Sequence, residues 1–386
     1  MTRDVKTYID NIRCTVKDSD VDLITVEHRS NNPKRDYLFV NRLQAKHIPA
    51  IPSKMIGMCN DLASQLTELE VYNNILIIGF AETATGIAHF VAKKVKNCKY
   101  IINTTRESME QYGKQLITFE EEHSHATTQR LFTWNKNDFN FNSVDFILFV
   151  EDEISTGNTI LNFIREFKRQ DVANKNVKFG VASICNWQNE KNRNIFDEED
   201  IKRFFLISGE LKDVNTKMDL DGYNLVYTKN LESKETPVDK IMIHTDYFKC
   251  SRLGRFPHAP IIPLEIFDML NDISECTVRV IGTEECMAPA IELGYWLEKY
   301  KQNSVVCHST TRSKIDVIQK DEEEANSIIN MRQSLVSTYD IERATYIYNT
   351  NEFTDHTIIV TDKLNEKFLE SIRNVLNTKH IIAINI

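Results

Sequence analysis

The sequence predicts an α/β protein made of two parallel-sheet domains, and two observations support this fold class. Apolar runs of strand length alternate with amphipathic segments through both halves of the chain, as in parallel sheets joined by crossover helices. Several short segments of the first half also recur, in the same order, in the second half. We therefore expect two related sheets within 386 residues, a length sufficient for two separate cores.

Strands are predicted where short apolar runs are bounded by polar residues. In the first half these runs lie at residues 75–78, 99–102, 146–150 and 178–184, and a helix is predicted over 83–94, after the first strand. Strands that alternate with helices in this way favour a parallel, Rossmann-like sheet.

The division between the two domains is expected in the charged, weakly periodic stretch 189–240. No Gly/Pro-rich linker marks a sharper boundary. We predict a first domain over residues 1–210, a connector over 211–239 and a second domain over 240–386.

The second half repeats four markers of the first half. HIPAIPSKMIGMCND begins at His47, and HAPIIPLEIFDMLND begins at His258. The segments IIGFAE, NTTR and WNKNDF of the first half are matched by VIGTEE, STTR and YNTNEF of the second half. Where the first half has Ser-Thr-Gly at 155–157, the second half has Asn-Glu-Lys at 365–367. The second domain is therefore predicted to be a degenerate repeat of the first, without its glycine and hydroxyl residues.

The most informative run is VDFILFVEDEISTGNTI, from Val144 to Ile160. An apolar strand ends in three acidic residues, passes through a turn of small hydroxyl residues and enters an amphipathic helix. Such a turn at a helix N-terminus presents unpaired N–H groups and the positive end of the helix dipole to an anion. Gly157 lets the backbone approach a phosphate, and two adjacent carboxylates can accept hydrogen bonds from vicinal hydroxyls. The run therefore predicts a pocket for a sugar phosphate.

An ordinary helix N-cap is the simpler interpretation of Ser155 or Thr156. A cap does not explain the three preceding acids, nor the Thr-Gly-x-Thr that ends at Thr159. The glycine-lysine pattern of P-loop nucleotidases is missing, so a different kind of phosphate site is indicated.

The run resembles the phosphoribosyl pyrophosphate signature of type I phosphoribosyltransferases. The matching residues are Glu151, Asp152, Ser155, Thr156, Gly157 and Thr159. Segments at 32–40, 46–49, 79–85 and 121–126 are similar to a branch of these enzymes encoded near tellurium-resistance and stress-response genes. Members of that branch carry a C-terminal TRSP-type domain, named for a Thr-Arg-Ser-Pro motif. Residues 311–314 read Thr-Arg-Ser-Lys here, so the proline is replaced.

The resemblance implies pentosyl transfer between 5-phosphoribosyl 1-pyrophosphate and a nitrogenous base, or the reverse reaction on a ribosyl-linked base, with Mg²⁺ as cofactor. The product would be a nucleoside-like metabolite linked to stress or tellurium resistance. The resemblance implies catalytic roles for Glu151, Asp152 and Arg106, and Mg²⁺ binding by Glu151 and Asp152. The substrate-binding residues that it implies are Gly79, Phe80, Ala81, Glu82, Thr83, Glu153, Ile154, Ser155, Thr156, Gly157, Asn158, Thr159, His123 and His125.

Some of these residues also have ordinary structural interpretations. Glu82 suits the first turn of a helix, and Arg106 suits a surface ion pair. His123 and His125 face the same way on an extended segment. They could contact substrate, act as acid or base, bind metal, or form a surface pair without a role. Element 32–35 either lends cations to the substrate or is a solvated turn.

Composition argues against several classes of partner. A net charge of −9 is unlike that of general nucleic-acid binders, and no apolar stretch approaches the roughly 20 residues of a membrane span. The charged N-terminus does not resemble a secretory signal. Eight scattered cysteines without C-x-x-C spacing suggest reduced thiols. We expect a cytoplasmic protein that binds neither nucleic acid nor membrane.

The sequence also leaves open whether the site is catalytic and how the domains pair. The same binding residues would serve a non-catalytic sensor of phosphoribosyl pyrophosphate or a nucleotide, which is the alternative function. The two domains are expected to pair as a pseudo-dimer within the chain, or the chain is expected to pair as a homodimer, because related transferases commonly associate symmetrically.

Overall fold

A computed structural model describes most of the chain. The described residues are 2–4, 13–17, 22–30, 35–120, 128–134, 139–212, 224–226, 236–242, 253–319 and 328–386. The candidate site residues His123 and His125 lie outside them, as do Asn32, Pro33 and Lys34 of the 32–35 element.

Helices separate the strands in both halves of the chain. The α-helices are α1 (Pro52–Ser64), α2 (Thr85–Lys94), α3 (Asn158–Arg169), α4 (Glu190–Glu198), α5 (Leu264–Met269), α6 (Met287–Lys301) and α7 (Glu366–Arg373). Short 3-10 helices lie at Thr67–Val71 and Phe141–Ser143. Among the described residues, no helix is both long enough and apolar enough to cross a bilayer.

Strands alternate with these helices in the central sheet of each half, as predicted, whereas other strands follow one another without a helix between them. The strands are β1 (Thr2–Asp4), β2 (Arg13–Lys17), β3 (Ile24–His28), β4 (Tyr37–Asn41), β5 (Ile75–Gly79), β6 (Cys98–Thr105), β7 (Gly113–Glu120), β8 (Thr128–Trp134), β9 (Phe146–Ile154), β10 (Lys178–Asn186), β11 (Ile201–Ser208), β12 (Glu210–Lys212), β13 (Asn224–Val226), β14 (Val238–Met242), β15 (Thr277–Gly282), β16 (Ser304–Ser309), β17 (Val317–Gln319), β18 (Arg332–Val336), β19 (Ala344–Tyr348), β20 (Thr354–Thr361) and β21 (Thr378–Asn385).

The first large sheet has the order β11-β10-β9-β5-β6-β8-β7. Strands β11 to β6 of this order are parallel, and the β7–β8 hairpin adds to β6 in antiparallel fashion. Strand β9 is longer than the predicted 146–150 run, because Glu151 and Glu153 continue its pairing opposite Ser183 and Cys185 of β10. The acidic residues therefore lie on the strand itself rather than in the turn that follows it.

The second large sheet is parallel throughout, with the order β14-β21-β20-β15-β16. Its four strands β21-β20-β15-β16 follow the same chain order and spatial order as β10-β9-β5-β6 of the first sheet. The fifth position differs, since β11 follows β10 in the chain whereas β14 precedes all the other strands of its sheet. Both sheets confirm the predicted α/β class with mainly parallel strands.

Each sheet is the centre of a compact unit. One unit consists of Ile56–Leu211 and Asp246–Ile261, and the other of Met1–Met55, Lys212–Thr245 and Ile262–Ile386. This division differs from the predicted 1–210 and 240–386, because residues 1–55 group with the second sheet.

Backbone pairing within each unit accounts for this grouping. Ala50 forms an antiparallel bridge with Cys307 of β16, through N–O distances of 3.0 and 2.8 Å. In the other unit, Arg255 pairs in the same way with Ile101 of β6, at 2.9 Å in both directions. In each unit, a segment that is distant in the sequence therefore forms a backbone bridge with a strand of the sheet.

The core of the first sheet is aromatic. Phe149 of β9 packs edge-on against Phe163 of α3, with ring centroids 5.6 Å apart, and both side chains are fully buried. Helix α3 buries its Ile160, Leu161 and Ile164 against the same cluster. The apolar spacing of α3 therefore fixes the position of the loop that precedes it.

Candidate functional site

The candidate site lies where two loops leave neighbouring parallel strands. Strand β5 pairs with β6 on one side and with β9 on the other, so the connection after β5 runs to one side, towards β6, and the connection after β9 runs to the other, towards β10. At such a switch point the loops after the strands diverge and leave a crevice at the carboxyl ends. The loops 79–85 and 154–159 both begin at this edge.

The 79–85 loop is held tightly against the sheet at its start. A Cβ atom on Gly79 would lie 2.4 Å from Asn103 Oδ1 and 2.5 Å from Ala88 Cβ, so only glycine fits. The Phe80 N–H donates to Val150 O at 3.0 Å. The peptide bond between Ala81 and the next residue is cis.

A buried polar network anchors Ala81. Its N–H donates to Thr104 Oγ1 at 2.8 Å, and its carbonyl accepts from Gln129 Nε2 at 3.1 Å. The Thr104 hydroxyl donates to Gln129 Oε1 at 2.7 Å. Gln129 is 1% exposed, so the network that holds this loop is shielded from solvent.

A side-chain contact joins the 79–85 loop to the acidic end of β9. The Thr83 hydroxyl donates to Asp152 Oδ1 at 3.0 Å. Because side chains alternate along a strand, Asp152 points to the opposite face from Glu151 and Glu153. The contact therefore assigns Asp152, rather than its neighbours, to the face of the 79–85 loop.

The 154–159 loop is shaped by Gly157. Its φ of +83° is left-handed, and a Cβ atom there would lie 2.6 Å from Phe196 Cζ. Gln188 Nε2 donates to Thr156 O at 3.1 Å, and Thr156 Oγ1 accepts from Asn158 N at 3.3 Å. These contacts turn the chain directly into α3.

Three amides of this loop are left without a hydrogen-bond acceptor among the described residues. In the part of the chain that the structure describes, the N–H groups of Ser155, Thr156 and Gly157 donate no hydrogen bond. Thr156 is exposed, and Ser155 and Thr159 are half-buried. Free N–H groups just before a 12-residue helix can bind an anion, because the helix dipole adds to their positive charge.

The remaining predicted residues surround the same edge. Arg106 directly follows β6, is half-buried, and its carbonyl accepts from Arg130 Nη1 at 3.3 Å. Glu82 is 4% exposed and its carbonyl accepts from the Thr85 hydroxyl at 3.1 Å. Ile154 is buried beneath the loop. Glu82 lies before α2, which begins at Thr85, and so is not in the first turn of that helix.

Three contributors were not predicted from the sequence. Thr104, Gln129 and Gln188 hold the backbones of the two loops. Thr104 belongs to the repeated NTTR segment, but no sequence motif singled out either glutamine. Only the folded chain brings Gln129 to Ala81, 48 residues away.

The described residues include no group of three or more His, Cys, Asp or Glu side chains that could hold a metal ion by themselves. The carboxylates of Glu151 and Asp152 are half-buried at the strand end. A cation there would need oxygen ligands from a bound substrate as well.

Comparison with solved structures gives several weak overall matches. An adenine phosphoribosyltransferase from Trypanosoma brucei is 13% identical, with 49% of this chain and 76% of that chain covered and a TM-score of 0.34. The corresponding enzyme from Rhodothermus marinus is 11% identical, with 41% and 80% covered and a TM-score of 0.29. An orotate phosphoribosyltransferase from Aeropyrum pernix is 10% identical, with 40% and 71% covered and a TM-score of 0.27. No curated protein matches the chain.

Family models give the decisive comparison. Residues 23–203 match the model described as phosphoribosyl transferase. Residues 265–376 match the model described as the TRSP domain C-terminal to that transferase. These matches confirm the resemblance found in the sequence. The chain therefore carries a phosphoribosyl transferase domain followed by a TRSP domain.

Proposed function

We propose that the first sheet carries a Mg²⁺-dependent site that transfers a phosphoribosyl group between 5-phosphoribosyl 1-pyrophosphate and a nitrogenous base, in either direction. The observation that carries the proposal is the contact between the 79–85 loop and the acidic end of β9, next to the start of α3. Thr83 bonds to Asp152 at 3.0 Å, beside a helix start whose preceding amides donate no bond in the described chain.

The 5-phosphate is assigned to the 154–159 loop. Three N–H groups and the N-terminus of α3 offer hydrogen bonds and positive potential to a dianion. The hydroxyls of Ser155, Thr156 and Thr159 are further donors. Gly157 keeps the turn before α3 in its left-handed conformation.

The ribose hydroxyls are assigned to the acidic end of β9. Ionised carboxylates form strong hydrogen bonds with hydroxyl donors. Asp152 is already oriented by Thr83 at the edge of the 79–85 loop. Glu151 lies on the other face of the strand, so a sugar that contacts both must sit at the strand end, where the chain turns.

The pyrophosphate is assigned to the 79–85 loop and to Arg106. The loop is fixed by the buried Thr104–Gln129 network, and a planar guanidinium suits bidentate binding of phosphate oxygens. Arg106 follows β6, the strand next to β5. Binding energy from these groups would hold the reacting carbon in position.

Glu151 and Asp152 are the side chains proposed to hold Mg²⁺. This ion prefers oxygen ligands and is commonly bound by one or two carboxylates together with substrate phosphates. Two half-buried carboxylates at the strand end fit that donor set. Bound there, the ion supplies positive charge for the pyrophosphate leaving group.

The second sheet is proposed to be a degenerate copy of the first. The proposal is supported by the shared strand order β10-β9-β5-β6 and β21-β20-β15-β16, and by the repeated sequence markers. A physiological link to stress or tellurium resistance is proposed from the sequence resemblance alone.

Binding of phosphoribosyl pyrophosphate tests the site directly. Titration calorimetry with Mg²⁺ should give one binding event for the intact chain. Asp152→Asn should weaken it by about 10- to 100-fold, because a hydrogen bond to a charged group contributes about 1.5–3 kcal/mol. Asp61→Asn, an exposed change on α1, is the matched control and should bind normally. Unchanged affinity in Asp152→Asn would remove the assigned role.

A second assay separates catalysis from sensing. Release of pyrophosphate is followed with a panel of nitrogenous bases, and the reverse reaction is run with nucleotides and pyrophosphate. Turnover with any member of either panel supports the transferase. Normal binding without turnover in both directions would favour the non-catalytic sensor.

A further inference from the structure

The loop after β15 in the second sheet has the same backbone contacts as the 79–85 loop. Glu284 donates its N–H to Thr310 Oγ1 at 2.9 Å, as Ala81 does to Thr104 at 2.8 Å. The residue before Glu284 donates its N–H to the β20 strand at 3.1 Å, and the residue before Ala81 donates to β9 at 3.0 Å. Glu284 therefore stands where the first sheet has Ala81.

The Glu284 carboxylate is fully buried among cationic and hydroxyl groups. Arg312 Nε lies 2.7 Å from its Oε2, and Arg343 Nη2 lies 3.3 Å from the same oxygen. The Ser337 hydroxyl donates to its Oε1. Arg312 ends the STTR segment, and Arg106, which we assign to pyrophosphate, ends the corresponding NTTR segment.

Lys46 adds a third cationic group to the backbone of this loop. Its side chain is fully buried, and Nζ donates to Glu284 O at 2.8 Å, to Thr310 O at 2.9 Å and to Ser309 Oγ at 3.1 Å. A buried ammonium group is stabilised here by three acceptors. Lys46 thus holds the backbone of the loop, while the two arginines and Ser337 surround the Glu284 carboxylate as they would a bound anion.

The other half of the second copy is closed by internal hydrogen bonds. The N–H groups of Lys363 and Leu364 donate to Thr361 Oγ1 at 3.2 Å and to Asn385 Oδ1 at 3.0 Å. Asn365 caps α7 by accepting from Phe368 N at 2.8 Å. The two amides just before Asn365 and the start of α7 are therefore engaged within the protein.

We propose that the second copy retains an anion-binding position and that its own Glu284 carboxylate fills it, in place of an anion from solution. Ala81 has no carboxyl group, so the corresponding position of the first copy is left for a substrate. Arg312, the arginine of the TRSP-type motif, then stabilises the domain instead of binding a ligand. The proposal uses the equivalence of the two sheets but does not depend on the transfer reaction.

Removal of the internal carboxylate should create an external anion site. Glu284→Ala leaves two guanidinium groups around a vacated position, and a buried charge that loses its partner is strongly destabilising. We expect a lower Tm for this full-length variant than for the parent protein. Sodium acetate should restore part of the Tm relative to sodium chloride at equal ionic strength, and the gain should rise with acetate concentration.

Two controls give the test its specificity. The parent protein gives the baseline, because a general salt effect of acetate, or an anion effect at the first site, is present equally in both proteins. The gain in Glu284→Ala should exceed that baseline. Glu284→Ala combined with Arg312→Ala should lose the acetate-specific gain. If Glu284→Ala does not accumulate in the folded state, the same comparison is made on its refolding yield from urea in acetate and in chloride.

The outcomes separate clearly. An acetate-specific gain in Glu284→Ala that requires Arg312 supports the self-occupied anion site. A Glu284→Ala protein as stable as the parent, or one that responds equally to acetate and chloride, would overturn it. Neither result bears on whether the first site binds phosphoribosyl pyrophosphate, so failure of the two proposals is distinguishable.

Discussion

At the scale of single residues, Gly157 is the most constrained position of the candidate site. Its left-handed backbone and the nearby Phe196 and Gln188 side chains leave no space for a Cβ atom. Gly79 is constrained by space alone, between Asn103 and Ala88. Both glycines serve the backbones of the two loops rather than any direct chemistry.

Gly157→Ala should therefore cost both stability and phosphate binding. The left-handed conformation alone costs about 1–2 kcal/mol for a residue with a Cβ atom, and the contact at 2.6 Å from Phe196 adds to it. Urea denaturation and titration with phosphoribosyl pyrophosphate measure the two effects. Gly57→Ala is the matched control, since nothing lies within 4 Å of its added Cβ in α1. That change should stabilise the protein by roughly 0.4–1 kcal/mol. Equal behaviour of the two variants would contradict the assigned strain.

At the scale of elements, strand β3 is tied to the segment before β17 by an ion cluster. His28 Nδ1 lies 2.7 Å from Asp316 Oδ2, and Arg332 binds the other carboxylate oxygen. The Asp316 N–H donates to the His28 carbonyl at 2.9 Å. His28 and Asp316 are 288 positions apart, so the cluster connects the N-terminal segment of the unit to its C-terminal segment.

The cluster predicts acid sensitivity. Burial of Asp316 opposes its ionisation, but hydrogen bonds from His28 and Arg332 outweigh burial and hold its pKa below the ordinary value. A depressed carboxyl pKa contributes stability above the unfolded value of about 3.9, and this contribution is lost as the pH falls towards the folded value.

As the pH is lowered from about 6 to about 3, through the ordinary aspartate pKa, we expect the urea midpoint of the parent protein to decrease. The midpoint of Asp316→Asn should decrease less. The variant should also be less stable at pH 6, where the ion pairs are formed. Asp61→Asn, exposed on α1, should follow the parent curve. A parallel pH dependence in Asp316→Asn would show that the cluster does not contribute.

At the scale of the whole molecule, residues from the N-terminal end complete the second sheet's unit. The Ala50–Cys307 bridge, the buried Lys46 and the His28–Asp316 pair all belong to that unit. A fragment 240–386, the second domain predicted from the sequence, lacks all three.

We expect this fragment to be poorly folded alone. Without the N-terminal residues it loses the backbone partners of Cys307 and leaves part of its core open to water. Circular dichroism and limited proteolysis would report the difference. Addition of a peptide covering 22–50 should increase protease resistance, and the same peptide in scrambled order should not. A stable, protease-resistant 240–386 fragment would contradict the prediction.

Much of the fold was predictable from local patterns. The runs at 75–78, 99–102, 146–150 and 178–184 each became a strand, with ends extended by one to four residues, because apolar periodicity reports burial locally. The grouping of residues 1–55 was not predictable in this way. It depends on pairings between residues far apart in the chain, such as Ala50 and Cys307.

The amino-acid sequence by itself determined the glycine-containing turn at 154–159, the alternation of strands and helices around it, and the transferase and TRSP domains. These are properties of short segments, whose chemistry and periodicity are independent of distant residues. Tertiary structure alone decided that Gln129 anchors Ala81 and that the Glu284 carboxylate pairs with Arg312. Such contacts arise when packing brings separate strands together, and no local pattern specifies which buried polar groups will then meet.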